Sequence, residues 1–184
     1  SCTAVGLSAL NSNTTGYDNT AVGVGALQNN TTAYRSNAFG VSALASNTTG
    51  VQNNAFGYAA LNLNTTATGN SAFGHAALST NTTGSNNTAF GNIAMLSVTT
   101  GLDNTVVGSA TGDAITTGIQ NVAVGKDALT AVTTGGNNVA IGKGSLVLCS
   151  GGASGNSAVG EASGYTVTSG SQNTFIGKAT GGPT

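Results

Sequence analysis

The apolar residues of this chain recur in a short pattern with a fixed period. A glycine that directly follows an apolar pair returns at every seventeenth position, as from Gly6 to Gly23, apart from one step with a single extra residue between Gly142 and Gly160. These marker glycines are Gly6, Gly23, Gly40, Gly57, Gly74, Gly91, Gly108, Gly125, Gly142, Gly160 and Gly177. Eleven repeats fill the chain, so the pattern predicts a single repeat domain over residues 1–184, with one inserted residue near 150–155.

Each seventeen-residue unit, here called a coil, is typical of β-structure. No segment sustains a 3.6-residue period, and glycine interrupts every coil, which disfavours helix. Two short β-capable segments, residues 19–22 and 26–27 in the second coil, alternate with Gly and Asn turn signals. One coil cannot bury its apolar side alone, whereas a stack of similar coils can. The sequence therefore predicts an all-β parallel β-solenoid, a β-roll or β-helix of about eleven coils spaced ~4.8 Å apart.

Equivalent positions of the coils form columns, and two adjacent columns are apolar. Two residues before the marker glycine stands Ala in nine of eleven coils, and directly before the glycine stands Val, Phe or Ile in all eleven. Neighbouring strand residues point to opposite faces, so the Ala column is expected to line the lumen and the other column to face outward. A third apolar column, Ala-Leu in most coils, follows three to four residues after the glycine. The outward aromatic residues, interpreted as a packing ladder, are Phe39, Phe56, Phe73 and Phe90.

A continuous apolar stripe on the outside of a rod calls for a partner. We therefore expect self-association, as a homotrimeric fibre, as rods stacked end to end, or as both. The two cysteines do not link the ends of one rod, because Cys2 and Cys149 lie about nine coils, or ~40 Å, apart and a disulfide needs Cα atoms within about 7 Å. Cys149 is interpreted as a small apolar residue that fills space in the core. Cys2 lies near the first coil, where it can form a disulfide only with a cysteine of another chain.

Two columns of asparagine run along the repeats. Seven residues after the marker glycine, the first five coils carry Asn13, Asn30, Asn47, Asn64 and Asn81, and the following coils carry Val98, Ile115, Val132, Cys149 and Val167. Because an aliphatic residue replaces the amide without a break in period, this column is predicted to be buried, with the amides forming a hydrogen-bonded structural ladder. The second column, four residues before the glycine, is predicted to close turns by bonding its own backbone or by adopting positive φ.

The same region supports two alternative functions. Each of Asn13, Asn30, Asn47, Asn64 and Asn81 begins an Asn-Thr-Thr sequon, so a glycosylated, self-stacking extracellular filament is one alternative, although a buried column has no room for sugar. The Thr pair predicts a regular outward rank of hydroxyls, so an ice-binding or lattice-binding solenoid is the other. Ice-binding solenoids usually carry Thr-x-Thr with both hydroxyls on one face, whereas adjacent Thr residues point in opposite directions.

Composition argues against most chemistry. The chain has nine charged residues and one histidine, His75, in a variable outward column, so no nucleophile, base and orienting group are brought together and we expect no enzyme. Four Lys and Arg residues are too few for the phosphate contacts of a nucleic-acid binder. Apolar runs of at most four residues fall far short of the ~20 needed for membrane insertion. The acidic residues are scattered singly, so neither a metal nor a cofactor is expected.

The repeats resemble a known group of fibrous proteins. Residues 19–32, N-T-A-V-G-V-G-A-L-Q-N-N-T-T, and 87–96, N-T-A-F-G-N-I-A-M-L, look like modules of phage tail-fibre and related bacterial surface-fibre proteins. They are more distantly similar to the head repeats of trimeric autotransporter adhesins, whose period is shorter than that of this chain. The resemblance covers the whole chain and implies a homotrimeric, elongated, structural or adhesive fibre at the cell exterior or the virion surface, with a cell-surface receptor as a further partner. No stalk, anchor or chaperone domain is recognisable, so the chain is expected to be a segment of a longer fibre.

Overall fold

The computed structural model describes residues 1–181 and places them in a parallel β-solenoid. Eleven strands of three residues form one sheet in chain order, and they are joined by ten turns of the solenoid. The strands are β1 Thr3–Val5, β2 Thr20–Val22, β3 Asn37–Phe39, β4 Asn54–Phe56, β5 Ser71–Phe73, β6 Thr88–Phe90, β7 Thr105–Val107, β8 Val122–Val124, β9 Val139–Ile141, β10 Ser157–Val159 and β11 Thr174–Ile176. No helix occurs within residues 1–181. The predicted all-β parallel solenoid is confirmed.

Successive coils lie in register. Ala38 pairs with Ala55 and Phe39 with Phe56, so the sequence columns are columns in space. Hydrogen bonds along the rod also continue outside the strands: the Thr31 amide donates to the Thr48 carbonyl oxygen at 3.0 Å. The backbone is therefore bonded from coil to coil around much of its circumference, and this bonding stabilises a chain that has few large side chains.

The core is a narrow column of small and medium side chains. The Ala residues in the middle of β2 to β6 are completely buried, as is Val106 in the middle of β7. Leu27, Leu44, Leu61 and Leu78 are completely buried as well. The Ala column, which was predicted to face inward, and the Leu column belong to one buried cluster.

The second predicted strand segment is wrong. Residues 26–27 belong to a turn, and Leu27 has a φ of 49° in the left-handed region. Its amide still donates along the rod, to the Ala43 carbonyl oxygen at 3.0 Å. Coil-to-coil bonding thus continues without an extended backbone, and burial of the leucine side chain offsets the ~1–2 kcal/mol cost of that φ.

The marker glycine is required by the close approach of the next coil. Gly57 has a φ of 141°, and a Cβ at this position would overlap the carbonyl oxygen of Gly74. The sequence pattern located these glycines, and the contact between successive backbones explains why no larger residue stands there.

Candidate functional site

The residue directly before each marker glycine forms an exposed apolar surface that we call the outer stripe. Its side chains point away from the lumen, since the middle residue of each strand points inward. Phe39 is 36% exposed and Phe90 is 47% exposed. The outer stripe consists of Val5, Val22, Phe39, Phe56, Phe73, Phe90, Val107, Val124, Ile141, Val159 and Ile176. It is apolar in every coil and carries no charged residue.

The four phenylalanines of the outer stripe stack face to face along the rod. Ring centroids are separated by 4.7 Å between Phe39 and Phe56, 4.6 Å between Phe56 and Phe73, and 4.3 Å between Phe73 and Phe90. The planes are within 10° of parallel. Each inner ring therefore has both faces covered by its neighbours and presents its edge to solvent. Such a ladder can pack against another apolar surface, but it offers no free ring face to a flat ligand.

A second outward column lies beside the outer stripe, directly after each marker glycine; we call it the flanking column. A single glycine separates the two columns, so their Cα atoms are at most about 7 Å apart. Its first four members are apolar and exposed, and its last four are charged. From first to last coil the flanking column reads Leu7, Val24, Val41, Tyr58, His75, Asn92, Ser109, Lys126, Lys143, Glu161 and Lys178.

Sequence reasoning treated the flanking column as variable and missed its apolar first half. The signal was available, because four consecutive coils carry Leu, Val, Val and Tyr there. His75 is exposed, as expected, and its ring stacks on Tyr58 with centroids 5.3 Å apart. The histidine thus stands at the border between the apolar and the polar part of the column.

The asparagines seven residues after the marker glycine lie inside the rod. Asn30, Asn47, Asn64 and Asn81 are completely buried, and Asn13 in the first coil is half-buried. Each Nδ2 from the second coil on donates to the Oδ1 of the preceding coil's asparagine, at 2.7–3.2 Å, and to a carbonyl oxygen three residues later. Because these amides are buried and their Nδ2 groups are already hydrogen-bonded, the folded rod has no room for a glycan on them.

The ladder ends at Asn81. Val98 occupies the same position in the next coil and offers no donor, and within residues 1–181 the Oδ1 of Asn81 is a buried side-chain atom without a hydrogen-bond partner. Replacing the amide by aliphatic residues thus leaves one orphaned acceptor at the boundary.

The second asparagine column is also buried, and the predicted turn role is wrong. Asn53 donates through Nδ2 to the Ala67 carbonyl oxygen at 2.7 Å, and its Oδ1 accepts the amide of Asn70 at 3.0 Å. Both partners belong to the next coil. The positive φ belongs to the preceding residue, Gln52, at 58°.

A signal in the sequence distinguishes these two neighbouring positions. Apart from Cys2, which is exposed in the first coil, the buried column contains Ser36 and otherwise Asn, all small. The column before it includes Asp18, Arg35 and Gln52, which are charged or long and need solvent. Side-chain size along each column separates an inward amide from a turn residue.

The two members of each Thr pair have different environments. The hydroxyl of Thr31 donates to the Thr48 carbonyl oxygen at 3.0 Å, and that of Thr65 donates to the Thr82 carbonyl oxygen at 3.1 Å. These first members are half-buried, so their hydroxyls hold the rod together. The exposed second members are Thr15, Thr32, Thr49, Thr66, Thr83, Thr100, Thr117 and Thr134.

Two lysines form exposed ion pairs with nearby acidic residues. Lys178 lies 3.0 Å from Glu161, and its hydrogen bond lowers the pKa of the Glu161 carboxyl. Burial raises the pKa of the Asp113 carboxyl. Within residues 1–181 no three His, Cys, Asp or Glu residues are grouped so that they could hold a metal ion. None of the elements described there is a helix of the length and apolarity that crossing a membrane requires.

The two cysteines are free thiols in different surroundings. Cys2 is exposed in the first coil, and its thiol lies 3.5 Å from the carbonyl oxygen of Gly16. Cys149 is buried in the column that begins with the asparagine ladder, and burial raises the pKa of its thiol. A thiol of this kind is protonated and behaves as an apolar side chain.

No family model matches this chain, and no curated protein or solved structure is significantly similar to it. Among the surfaces described above, the outer stripe is the one that is apolar in every coil. It is the candidate functional site.

Proposed function

We propose that this chain is a structural segment of an elongated fibre, and that its outer stripe packs against further copies of the same chain. The role is mechanical and adhesive, without catalysis and without a cofactor. The observation that carries the proposal is that Val, Phe and Ile are exposed or half-buried in every coil along the rod, while the interior is already filled. Exposing a contiguous apolar surface of this kind to water is unfavourable in free energy. Association that covers the surface is therefore stabilising.

The spacing of the outer stripe favours a second copy as the partner. It presents one side chain per coil, and the aromatic members are 4.3–4.7 Å apart. A surface that fits between these side chains along the full rod needs the same axial spacing. Another copy of the chain has that spacing in every coil.

A homotrimer is the arrangement we favour. Three rods around a common axis turn their stripes toward one another, and the complex has three times the 17.6 kDa mass of one chain. Together with the resemblance of the repeats, this arrangement supports a fibre at the cell exterior or the virion surface, where a cell-surface receptor is a further partner. The Phe ladder is not expected to stack on a receptor's sugar rings, because its ring faces are covered.

The alternative functions have less support. The exposed Thr rank offers one hydroxyl in each of eight coils for ice or another lattice, since in seven of the eight pairs the hydroxyl of the first Thr is bonded to a carbonyl oxygen. Glycosylation at the asparagine ladder would require each buried amide to leave its hydrogen bonds. Neither alternative uses the outer stripe.

Analytical ultracentrifugation of matched variants tests the proposal. Phe90→Asp with Ile141→Asp places two charges in the outer stripe, and Thr100→Asp with Thr134→Asp places two charges in the exposed Thr rank. We expect the native chain and the Thr variant to sediment as a complex, with three times the mass of one chain for a trimer. The stripe variant is expected to shift toward the single-chain mass of 17.6 kDa with an unchanged circular dichroism spectrum. A native chain that sediments as a monomer at every concentration would overturn the proposal.

A further inference from the structure

We infer that association through the outer stripe is controlled by pH, and that His75 is the residue that responds. At neutral pH the copies are associated, and in mild acid protonation of the imidazole weakens their contact. This inference rests on the proposed self-association and adds its regulation. It is carried by the place of His75 beside the outer stripe and by the uncharged chemistry of the columns that meet there.

His75 lies at the edge of the surface that associates. The apolar surface is broad in the first four coils, where the flanking column is apolar, and narrow in the last four, where that column is charged. His75 follows directly after the broad part, two residues after Phe73 of the outer stripe, and its exposed ring stacks on that of Tyr58 with the planes 12° apart. Packed β-sheets are ~10 Å apart, so a copy that covers Phe73 also covers the neighbouring imidazole.

The chain itself places no charged residue beside this histidine. Residues 36–102 contain no Asp, Glu, Lys or Arg, and the adjacent members of the flanking column are Tyr58 and Asn92. The nearest charged member of that column is Lys126, three coils or ~14 Å along the rod. A protonated imidazole at position 75 therefore has no carboxylate of its own chain as a partner.

A neighbouring copy places no charged residue there either. In three rods around a common axis, the flanking column of one copy lies against the opposite side of its neighbour's outer stripe. That side is formed by the first residues of the strands, which point outward as the stripe does. These first residues are Thr3, Thr20, Asn37, Asn54, Ser71, Thr88, Thr105, Val122, Val139, Ser157 and Thr174. Neither they nor the stripe residues are charged, so at every axial offset between copies the protonated imidazole meets an uncharged surface.

Protonation of His75 thus adds an unpaired charge to the contact. Histidine is the side chain that ordinarily changes its charge between about pH 5 and pH 8. The neutral ring can be covered at little cost, whereas covering the imidazolium removes a charge from water without compensation. The lysines of the last coils differ, because their long stems carry the ammonium group out of the contact. The short side chain of His75, stacked on Tyr58, cannot do so.

The other titratable groups of this face keep their charge in mild acid. Glu161 is the one carboxyl in the flanking column, and its hydrogen bond with Lys178 lowers its pKa, so it stays ionised. Tyr58 stays neutral and the lysines stay protonated. A response of the assembly between neutral and mildly acidic pH therefore points to His75.

Sedimentation of matched variants at two pH values tests the inference. His75→Asn and His75→Gln are neutral at both, and Asn92 shows that the flanking column accepts asparagine. The dissociation constant of each assembly is measured at about pH 7.5 and about pH 5.5, and circular dichroism checks that the rod stays folded. For the native chain we expect the dissociation constant to rise about tenfold or more at the lower pH, and for both variants to change by less than about twofold.

Three results would overturn the role of His75 and leave the self-association standing. These are a native assembly that is equally tight at both pH values, variants that weaken in acid as much as the native chain does, and a native rod that unfolds at the lower pH. A native chain that sediments as single molecules at both pH values would overturn the proposed function and the pH control with it.

Discussion

At the scale of single residues, asparagine side chains form continuous hydrogen-bonded ladders inside the rod. Both buried columns pass hydrogen bonds from one coil to the next, and each amide also satisfies a backbone carbonyl oxygen. The value of each amide therefore depends on its neighbours in the column. An asparagine in the middle of the ladder therefore contributes differently to stability from the asparagine at its end.

Replacement of Asn64 by valine is expected to cost more stability than replacement of Asn81 by valine. In Asn64→Val, the Oδ1 of Asn47 loses its donor and becomes a second buried orphan beside that of Asn81. In Asn81→Val, the existing orphan disappears while the Oδ1 of Asn64 becomes one, so their number is unchanged. The difference should be about 1–3 kcal/mol in the free energy of unfolding.

Chemical denaturation of the two variants measures this difference. They share the same substitution, column and apolar gain, and the aliphatic residues of later coils show that the column accepts valine. Equal costs for the two variants would show that the hydrogen bonds between amides do not govern the stability of the ladder.

The burial of Asp113 predicts the direction in which the stability of the folded protein changes with pH. Burial raises the pKa of this carboxyl above its ordinary value of 3.8, with the nearby Asp127 adding in the same direction. The folded protein therefore holds the proton more tightly than the unfolded chain, and the stabilisation present at low pH is lost as the pH rises through the folded-state pKa. Asp113→Asn should therefore gain stability relative to the native chain as the pH rises from below 3.8 through the raised, folded-state pKa.

Denaturation of both proteins across this range checks the sign. Titrating groups other than the neighbouring Asp127 contribute equally to the two proteins, so their difference reports on Asp113 and its interaction with Asp127. A difference that moves in the opposite direction would mean that the backbone hydrogen bonds to the carboxylate outweigh its desolvation.

At the scale of the coil, glycine positions differ in what they tolerate. Gly57→Ala would drive a Cβ into the carbonyl oxygen of Gly74 at a φ of 141°, whereas Gly144 has a φ of 62° and open space around its missing Cβ. We expect Gly57→Ala to cost about 3 kcal/mol or more and Gly144→Ala about 1 kcal/mol. Ala59, which occupies the position of Gly144 in another coil, already has a φ of 53°.

Thermal or urea unfolding of these two variants tests whether coil-to-coil contact fixes the marker glycines. A cost for Gly57→Ala no greater than that for Gly144→Ala would mean that the coils can move apart locally, and that the spacing of the rod is softer than the structure indicates.

The sequence was sufficient to predict the architecture of the coil but not all of its backbone path. The period and the chemistry of the columns predicted the parallel stack and the Ala-lined lumen, whereas the burial of the Leu column is seen in the structure. The turn at Leu27 was not predictable from its own residues, because an apolar Ala-Leu pair suggests an extended segment. Its left-handed backbone is stabilised by the hydrogen bond that the Leu27 amide donates to the Ala43 carbonyl oxygen in the next coil. This contact exists only once the stack has formed.

The candidate site, too, could be predicted from the sequence only in part. The outer stripe follows directly from strand alternation, which places Phe39 outward and Ala38 inward. The broad and narrow ends of the apolar surface emerge when the flanking column is followed from Leu7 to Lys178 beside the outer stripe. That juxtaposition depends on the bend at the marker glycine, which leaves both columns exposed.

At the scale of the whole molecule, association through the outer stripe should respond to solvent as an apolar contact does. The stripe has no charged residue and the chain has a net charge of −1. Excluded salts such as ammonium sulfate should therefore strengthen association, while sodium chloride should change it little at moderate concentration. Sedimentation in a salt series measures this, and a steep loss of association in sodium chloride would point to ion pairs as the contact.

Small-angle X-ray scattering tests lateral self-association most directly, because it gives the mass and the axial length of the particle in one measurement. Association through the outer stripe predicts a particle about 50 Å long, the height of one rod, with the mass of several chains and a correspondingly thicker cross-section. The mass of a single 17.6 kDa chain, or a mass that grows in proportion to particle length, would contradict it.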